Sequence, residues 1–542
     1  MSEHTAIGPT GPADVIATDY RIGQDNLRPK LGPFSLDIHN PVFVISGVTI
    51  IVFVFFTLAL PAQAEAFFGW LRPALTSTFD WFFLLAGDIF VLVAVALMVS
   101  PLGKIRIGGM DAKPDYSYAG WFAMLFAAGM GIGLMFFGVA EPISHYEASV
   151  AEGAGAPDSW APLAGAEGDV AEARRLAMAA TIFHWGLHPW AIYAIVGLSL
   201  ALFAYNKGLP LSVRSIFYPI FGERIWGWTG HIIDTLAVFA TLFGLATSLG
   251  IGAEQANAGL EFLFGVPVND VSKVLLITGI TAIAVGSVVA GLDAGVKRLS
   301  EINMILAALL LLFVVAAGPT IAILTGFFTN LGAYAAYLPA LSNPFGREDA
   351  NFSQGWTSFY WAWWISWSPF VGMFIARVIR GRTVRQFIFS VLLVPSLVSV
   401  LWMTAFGGTA ISMLNEGYQT ISEAALELKL FAMLDPLPLA GITSFIGIVL
   451  VVVFFVTSSD SGSLVIDTIT AGGKVDAPLA QRVFWAIFEG LVAVALLLGG
   501  GLGALQAASV STGLPFAIVL LLGCFALVKG LLAEPRTRRA AA

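Results

Sequence analysis

The sequence predicts an all-α, polytopic membrane protein with twelve transmembrane helices. Its composition is 58% hydrophobic and 11% charged, whereas soluble domains carry about 25% charged residues. Twelve apolar stretches are each long enough to cross a hydrocarbon core of about 30 Å at 1.5 Å per residue. The basic residues concentrate in alternate connecting segments, which is the pattern of cytoplasmic loops. Together these observations exclude a soluble domain.

The predicted spans follow one another with short connections. We expect them at 42–61, 81–100, 120–146, 175–204, 230–262, 273–291, 299–327, 354–376, 387–413, 440–470, 481–500 and 503–531. Most of the 27 Lys and Arg residues then lie on the side that holds both termini. The positive-inside rule therefore predicts cytoplasmic N- and C-termini in a bacterial-type inner (plasma) membrane.

Four segments lie outside the main block of helices. Residues 1–40 are a polar cytoplasmic tail, and 41–100 contain two peripheral helices. Residues 328–346 are too short and too mixed to span, and they predict an interfacial amphipathic helix. Residues 532–542 form a short cytoplasmic C-terminal tail.

The third span carries three glycines at alternate positions, Gly129, Gly131 and Gly133. Each costs about 1 kcal/mol against alanine inside a helix. An unwound patch at membrane depth is tolerated where it is buried in protein or lines a cavity, and it frees backbone groups to bind substrate and ions. Close packing of two helices at a G-x-x-x-G pattern is the alternative. Gly131 between the other two favours unwinding.

The fourth span carries aromatic residues and two histidines. Trp190 and Tyr193 share a helix face, and Pro189 is expected to bend the span. His184 and His188 have the i, i+4 spacing of a metal pair, but no Asp, Glu or Cys of this span completes a site. We therefore expect hydrogen-bonded structural histidines.

The eighth span holds four tryptophans in seven residues, at 361, 363, 364 and 367. Tryptophan normally lies at the membrane interfaces, so a cluster at mid-span predicts a buried aromatic cage. Such cages hold quaternary ammonium ions through cation–π contacts. Neither aromatic span contains an acid, so we expect a permanent cation to be held without a buried carboxylate. Packing of the bundle core is the alternative for any one of these rings.

The tenth span contains hydroxyl groups and one acid. Thr457 and Ser458 offer the hard oxygen ligands that alkali cations prefer, although hydrogen bonding between helices also explains such residues. Asp460 is an acid within or near the end of an apolar span, and we expect it to pair with a cytoplasmic arginine. Asp88 and Glu489 lie in the second and eleventh spans, where we expect pairing at helix interfaces.

Four runs of sequence carry a family resemblance. They are GMGIGLMFFGVAEP (129–142), FHWGLHPWAIYAIVG (183–197), WAWWISWSPFVGMFIAR (361–377) and TSSDSGS (457–463). In order and spacing they resemble the betaine/choline/carnitine transporter family over essentially the whole chain, and most of all its sodium-coupled glycine betaine members. The resemblance implies a LeuT-type inverted repeat of five plus five helices, at 120–327 (spans 3–7) and 354–531 (spans 8–12). It also implies a homotrimer and alternating access.

The resemblance assigns residues to a substrate site and to two sodium sites. The substrate-binding residues are Trp185, Trp190, Tyr193, Trp363, Trp364 and Trp367 with the backbone of Met130, Gly131, Ile132 and Gly133. The first sodium site comprises Ala127, Met130, Phe454, Thr457 and Ser458. The second comprises Thr241 and the ring of Phe370. Leu245 stands one turn after Thr241, where the family pattern leads us to expect another hydroxyl.

Gly133 discriminates among substrates. Members that take choline tend to have Asp at this position and to couple to protons, and a carboxylate there would repel the carboxylate of a betaine. The expected function is therefore sodium-coupled symport of a zwitterionic compatible solute, of the glycine betaine or dimethylsulfoniopropionate type, with no cofactor beyond sodium as coupling ion. The alternatives are a sodium-independent carnitine/betaine-type exchanger and proton-coupled choline uptake. An enzyme using His184, His188, Glu141 or Asp460 is not expected, because no nucleophile lies beside a base.

Overall fold

The computed structural model describes residues 8–32, 34–129, 131–290, 293–474 and 476–535. In these ranges the chain is almost entirely helical, apart from four two-residue strands near the N-terminus. This confirms the all-α membrane fold. The helices of the first half are α1 (Val42–Ala59), α2 (Pro61–Val99), α3 (Tyr118–Gly129), α4 (Ile132–Val150), α5 (Val170–Trp185), α6 (Leu187–Ala201), α7 (Tyr218–Phe221), α8 (Trp228–Phe264), α9 (Asp270–Ala290) and α10 (Asp293–Ala317).

The second half begins with a helix that follows α10 after a short turn. Its helices are α11 (Thr320–Leu341), α12 (Ala350–Phe352), α13 (Ser358–Val378), α14 (Val384–Asn415), α15 (Thr420–Glu423), α16 (Lys429–Leu434), α17 (Ala440–Thr470), α18 (Leu479–Leu498) and α19 (Gly501–Ala533). Short 3₁₀ segments occupy Pro101–Lys104, Val213–Phe217, Gly222–Trp226 and Leu426–Leu428. Two π-helical turns occupy Leu202–Asn206 and Ser353–Thr357.

Eleven helical segments of the described chain are long and apolar enough to cross a membrane. Ten coincide with predicted spans, and the other is α11. The predicted third span is absent from this set because it is divided into α3 and α4. The eighth, α13, is also absent, and its serines and tryptophans make it less apolar than the others. The count of twelve stays a prediction.

Three boundaries differ from the sequence prediction. The second span was expected to begin at residue 81, but α2 begins at Pro61. The seventh span was expected to reach residue 327, but α10 ends at Ala317 and α11 begins at Thr320. The helix expected at 328–346 is thus the second half of a longer helix, α11. Gly318 and Pro319 separate the two helices, because proline cannot continue the preceding helix. The interfacial position of this segment stays a prediction.

The fourth span is interrupted, and the interruption lies at Gly186 rather than at Pro189. α5 ends at Trp185 and α6 begins at Leu187. Pro189 occupies the first turn of α6, where the backbone N–H would have no partner within the helix. The proline is therefore accommodated without a bend of its own.

The centre of the bundle is formed by helices that are buried on nearly all sides. α8 packs against α17 and α19, and α13 packs against α6, α8 and α19. α4 packs against α5 and α14. The aromatic helices α5, α6 and α13 therefore lie inside the protein rather than against lipid.

The N-terminal segment before α1 lies across the loops of the predicted cytoplasmic face. Its strands pair as β1 (Asn26–Leu27) with β4 (Ile38–His39), and β2 (Lys30–Leu31) with β3 (Phe34–Ser35). Asp37 Oδ2 lies 2.5 Å from Nζ of Lys474, between α17 and α18. Asp14 likewise lies 2.6 Å from Nζ of Lys207. The segment is thus tied to loops that are distant in sequence.

Candidate functional site

The first element of the site is the interruption between α3 and α4. Gly131 has an extended backbone, with φ −172° and ψ −176°, and no side chain caps the N-terminus of α4 in the described chain. The first N–H groups of α4 are therefore free to bind an anionic group. The carbonyls of Leu134 and Met135 accept hydrogen bonds from Trp402 and Gln255, at 3.1 and 2.9 Å. The predicted unwinding at the glycines is confirmed; Met130 lies outside the described residues.

The second element is the interruption between α5 and α6 at Gly186. The indole N–H of Trp364 donates to the carbonyl of His184 at 2.9 Å, which satisfies a carbonyl at the C-terminus of α5. The N–H of Leu187 donates to the hydroxyl of Tyr334 in α11 at 3.2 Å. Both helix ends are therefore held by aromatic side chains from other helices.

The predicted cage residues are brought together by these elements. The ring centroids of Trp185 and Trp364 are 5.0 Å apart with planes at 87°, and those of Tyr193 and Trp364 are 5.8 Å apart at 85°. Trp190 adjoins Tyr193, with centroids 5.4 Å apart, and Trp363 adjoins Trp364 at 5.5 Å. Perpendicular walls allow several ring faces to meet one rounded cation. Edge-to-face pairs also occur in ordinary packing, so binding by these rings stays a prediction.

Gly133 lies directly beneath two of these rings. A Cβ atom at this position would be 2.7 Å from Cη2 of Trp185 and 2.9 Å from Cη2 of Trp363. Real Cβ atoms do not approach other atoms so closely, so any side chain here would displace the rings. The absence of a side chain at Gly133 therefore allows the Trp185 and Trp363 rings to take these positions.

Tyr193 presents a buried polar atom to this region. Its side chain is 1% exposed, and its hydroxyl has no hydrogen-bond partner in the described part of the chain. Buried hydroxyls are normally satisfied, and an unsatisfied one calls for an explanation such as an absent ligand or water. The tip of Tyr193 is therefore a candidate contact for a substrate oxygen.

Trp363 and Trp367 connect the cage to α8. The indole N–H of Trp367 donates to the carbonyl of Gly244 at 2.8 Å, and that of Trp363 donates to the hydroxyl of Ser248 at 3.2 Å. Trp367 is half-buried and Trp363 is buried. These two rings therefore line the boundary between α13 and α8 beside the cage.

A buried carboxylate, Glu141 of α4, lies against the cage and was not predicted as part of it. Its Oε2 accepts hydrogen bonds from the Trp185 indole N–H at 2.8 Å and the Tyr360 hydroxyl at 2.5 Å. The expectation of a cage without a buried carboxylate is wrong, because the acid comes from the third span rather than from an aromatic span. The signal in the sequence was the presence of an acidic residue, Glu141, inside a predicted membrane span, where acids are rare and usually functional.

The same carboxylate binds two histidines. Its Oε1 lies 2.6 Å from Nδ1 of His184 and 3.2 Å from Nε2 of His145. A tetrahedral zinc ion at ligand distances of 2.0–2.2 Å would hold its ligand atoms about 3.4 Å apart. The shorter separation of Glu141 and His184 is that of a direct hydrogen bond. These residues therefore form a hydrogen-bonded cluster, as predicted for His184.

The described residues of the first predicted sodium site lie on α3 and α17. Thr457 donates its hydroxyl to the carbonyl of Val453 at 2.9 Å, and both Thr457 and Ser458 are half-buried. α17 packs against α4, the helix that follows the interruption. Ala127 lies in the last turn of α3, and Phe454 is buried one turn before Ser458. Joint coordination of an ion by these groups stays a prediction.

At the second predicted sodium site an apolar residue, Leu245, stands one turn after Thr241. Thr241 donates its hydroxyl to the carbonyl of Ala237 at 2.7 Å, one turn earlier in α8. Phe370 packs edge-on against Trp367, with centroids 5.3 Å apart. Leu245 is fully buried, and its side chain lies against Gly462 of α17. A leucine side chain provides no oxygen ligand for sodium.

The three other span acids singled out in the sequence have identifiable partners. Asp460 Oδ1 lies 3.2 Å from Nη2 of Arg482, which confirms the predicted pairing with an arginine. Asp88 Oδ1 lies 2.9 Å from Nε2 of His188, and this contact joins α2 to α6. Glu489 accepts a hydrogen bond from the Ser459 hydroxyl at 3.0 Å. All three contacts join different helices.

Comparison with known proteins gives matches over nearly the full chain. A glycine betaine/proline/choline transporter of Vibrio parahaemolyticus is 66% identical, over 97% of this chain and 96% of the relative. Glycine betaine transporter 1 of the same species is 55% identical, over 96% and 98%. The glycine betaine transporter OpuD of Bacillus subtilis is 43% identical, over 85% and 88%. Among solved structures, a mutant manganese transporter of Eremococcus coleocola has a TM-score of 0.41 at 12% identity, over 78% of this chain and 88% of that chain.

The fold and these relatives define a multi-pass membrane transporter and not an enzyme. The chain belongs to the betaine/carnitine/choline family of transporters, whose family model matches residues 41–536.

Proposed function

We propose that this chain is a secondary active transporter that couples sodium entry to uptake of a zwitterionic onium compound of the glycine betaine type. The observation that carries the proposal is the aromatic enclosure of Trp185, Trp190, Tyr193 and Trp364 beside two interrupted helices. A desolvated cation on a tryptophan face gains about 2 kcal/mol.

The geometry supports complementary roles for the two ends of a betaine. The onium group of the betaine lies among the rings. The carboxylate of the betaine lies at the uncapped N-terminus of α4, within reach of backbone N–H groups around Gly131–Gly133. The Tyr193 hydroxyl supplies a further donor. The related Vibrio and Bacillus transporters are named for glycine betaine, and dimethylsulfoniopropionate has the same distribution of charge.

Sodium would bind at the first site, where the end of α3 and the hydroxyls of α17 offer oxygen ligands. Sodium binding would favour the outward-facing state, because a ligand shifts an equilibrium by its differential affinity for the two states. Each sodium that enters adds about 2.3 kcal/mol per 100 mV of membrane potential. Because Leu245 stands where the family pattern leads us to expect another hydroxyl of the second site, we favour a single coupling sodium.

The remaining parts of the proposal concern placement and assembly. We propose cytoplasmic N- and C-termini in a bacterial-type inner membrane, from the distribution of basic residues. A homotrimer is expected from the family resemblance. The sodium-independent exchanger and proton-coupled choline uptake are the outcomes against which the main proposal is tested.

Binding by the purified protein tests the proposal directly. Tryptophan fluorescence is titrated with glycine betaine, dimethylsulfoniopropionate and choline, with and without sodium. We expect a saturable, sodium-dependent change with a zwitterion. Trp364→Leu should weaken the affinity for the zwitterion about 30-fold, since one cation–π contact of about 2 kcal/mol is lost.

The matched control is Trp228→Leu, because Trp228 is 66% exposed at the start of α8, away from the cage. It should leave the affinity unchanged. A response that persists without sodium would favour the exchanger, and a response with choline alone would favour proton-coupled choline uptake. If both substitutions weakened the affinity equally, the aromatic rings of the cage would not be the substrate site.

A further inference from the structure

Glu141 lies behind the cage wall, in contact with three side chains from α5 and α13 and one from its own helix, α4. The donors on its Oε2 are Trp185 of α5 and Tyr360 of α13. Its Oε1 faces His184 of α5 and His145 of α4. The Glu141 side chain is fully buried. A carboxylate has about four lone-pair sites, so four donors saturate it only when it is ionised.

The hydrogen bonds of this cluster are satisfied when both histidines are neutral. His184 uses Nδ1–H to bind Glu141, while its Nε2 lies 2.9 Å from the hydroxyl of Thr357, which is free to donate to it. His145 uses Nε2–H, and its Nδ1 has no partner in the described chain. A protonated His145 would leave a buried N–H unsatisfied, which is unfavourable. Two neutral histidines leave the negative charge of Glu141 uncompensated.

No lysine or arginine of the described residues forms an ion pair with Glu141; its charged-group contacts there are the two histidines. A buried ionised carboxylate without a cation is costly unless its hydrogen bonds and a nearby positive charge stabilise it. The protein itself supplies the hydrogen bonds to Glu141. A bound onium group would supply the positive charge, from the other side of the Trp185 and Tyr360 rings.

We propose that Glu141 is a positioning and specificity-determining residue of the cage. It fixes the orientation of Trp185 and Tyr360, and its charge acts through these rings to favour the onium group. The inference rests on the proposed function, because it assigns the cation to the cage.

The charge has different consequences for a cation and a zwitterion. A cation is attracted by Glu141 with nothing to oppose it. A zwitterion also brings a carboxylate, which Glu141 repels, so part of the attraction cancels. Across one ring, at the effective dielectric of a protein interior, the interaction is large enough to change the affinity for a cation about tenfold. The change for a zwitterion should be about threefold or less.

The test compares the dissociation constants of choline and glycine betaine in saturating sodium, by tryptophan fluorescence of the purified protein. Glu141→Gln removes the charge and keeps the shape. We expect choline to bind about tenfold more weakly and glycine betaine about threefold more weakly or less. The ratio of the two constants is the decisive readout, because a general loosening of the cage would weaken both compounds alike.

Two controls separate charge from hydrogen bonding and from position. Tyr360→Phe removes one hydrogen bond to Glu141 and keeps the carboxylate charge, so the ratio should not change. Asp88→Asn neutralises another acid of a membrane span, whose partner is His188 rather than a cage ring. It should also leave the ratio unchanged.

Should Glu141→Gln fail to fold, His145→Lys gives an independent answer. It places a fixed cation beside the retained carboxylate, so it should shift the ratio against choline in the same direction. The inference is overturned if the ratio of the two dissociation constants is unchanged in Glu141→Gln or His145→Lys. It is also overturned if Tyr360→Phe shifts that ratio as much as Glu141→Gln does. Failure of the proposed function is distinguishable in the wild-type protein, which would then bind neither compound, bind without requiring sodium, or bind choline alone.

Discussion

Single atoms decide the shape of the cage at the residue scale. The absence of a Cβ on Gly133 lets the Trp185 and Trp363 rings approach the backbone of α4. The sequence indicated that Gly133 matters for charge, but its steric role depends on which rings fold over it. That information is present only once the helices are assembled.

Gly133→Ala tests the steric role. The added methyl group would lie 2.7 and 2.9 Å from two ring atoms, so we expect the rings to move and the affinity for glycine betaine to fall about tenfold, the equivalent of about 1.4 kcal/mol. Binding is measured by fluorescence titration. Gly120→Ala is the control in the same predicted span, because its nearest neighbour would be 3.4 Å away. Equal affinity in the wild type and Gly133→Ala would contradict the steric account.

Tyr193→Phe tests the unpartnered hydroxyl. Because this hydroxyl has no protein partner among the described residues, its removal should not lower the thermal midpoint. It should weaken binding of glycine betaine by about 1 kcal/mol, or roughly fivefold, through loss of one hydrogen bond. Thermal unfolding and titration are measured on the same preparation. Loss of stability with unchanged affinity would assign the hydroxyl to the fold instead.

Two helices of the predicted set are interrupted, and the sequence located one of them better than the other. The alternate glycines predicted the break between α3 and α4, because several glycines in one turn weaken a helix. In the fourth span Pro189 was the more visible signal, yet the break lies at Gly186. Its position depends on Tyr334 and Trp364, which bind the two helix ends from α11 and α13. Such partners cannot be read from the sequence of the span.

Gly186→Ala tests the second interruption. A Cβ here would be 2.7 Å from the carbonyl oxygen of Ile182 and 3.1 Å from the Tyr334 hydroxyl. We expect a loss of about 1–3 kcal/mol in stability, as for other overpacked sites, and a lower thermal midpoint in detergent. Gly332→Ala on α11 is the matched control, since nothing lies within 4 Å of its Cβ position. A change of the same size in both variants would show that the interruption is not sterically fixed.

For the whole molecule, the sequence predicted the fold class and the positions of the membrane spans better than it predicted the long-range contacts. Apolar length and basic loops are properties of local sequence, and they gave the membrane fold. The contacts of Glu141 with Tyr360 and of Asp88 with His188 join helices that are remote in sequence, so only the residue types were visible beforehand. The N-terminal segment was predicted as a polar tail, whereas it is anchored to loops of the predicted cytoplasmic face.

That anchoring depends on pH. Burial alone would raise the pKa of Asp37, but hydrogen bonds from Lys474 and Asn26 outweigh it and hold the pKa below 3.8. Because the pKa of Asp37 is lowered on folding, the ionised carboxylate stabilises the folded contact above pH 3.8. This stabilisation is lost as the pH falls through the lowered pKa. We therefore expect faster hydrogen exchange at residues 26–39 at pH values below 3.8, after correction for intrinsic rates. Lys474→Met should produce the same change at neutral pH, and protection retained in both cases would contradict the anchoring.

The central claim is that sodium drives uptake of a betaine through the cage. The most direct measurement is uptake of labelled glycine betaine into proteoliposomes, with an inward sodium gradient, with equal sodium on both sides, and with potassium in its place. We expect accumulation above equilibrium with the sodium gradient, stimulation by an inside-negative potential, and loss of accumulation in Trp364→Leu but not in Trp228→Leu. Accumulation that is unaffected by replacing sodium, or uptake that requires substrate on the opposite side, would contradict it.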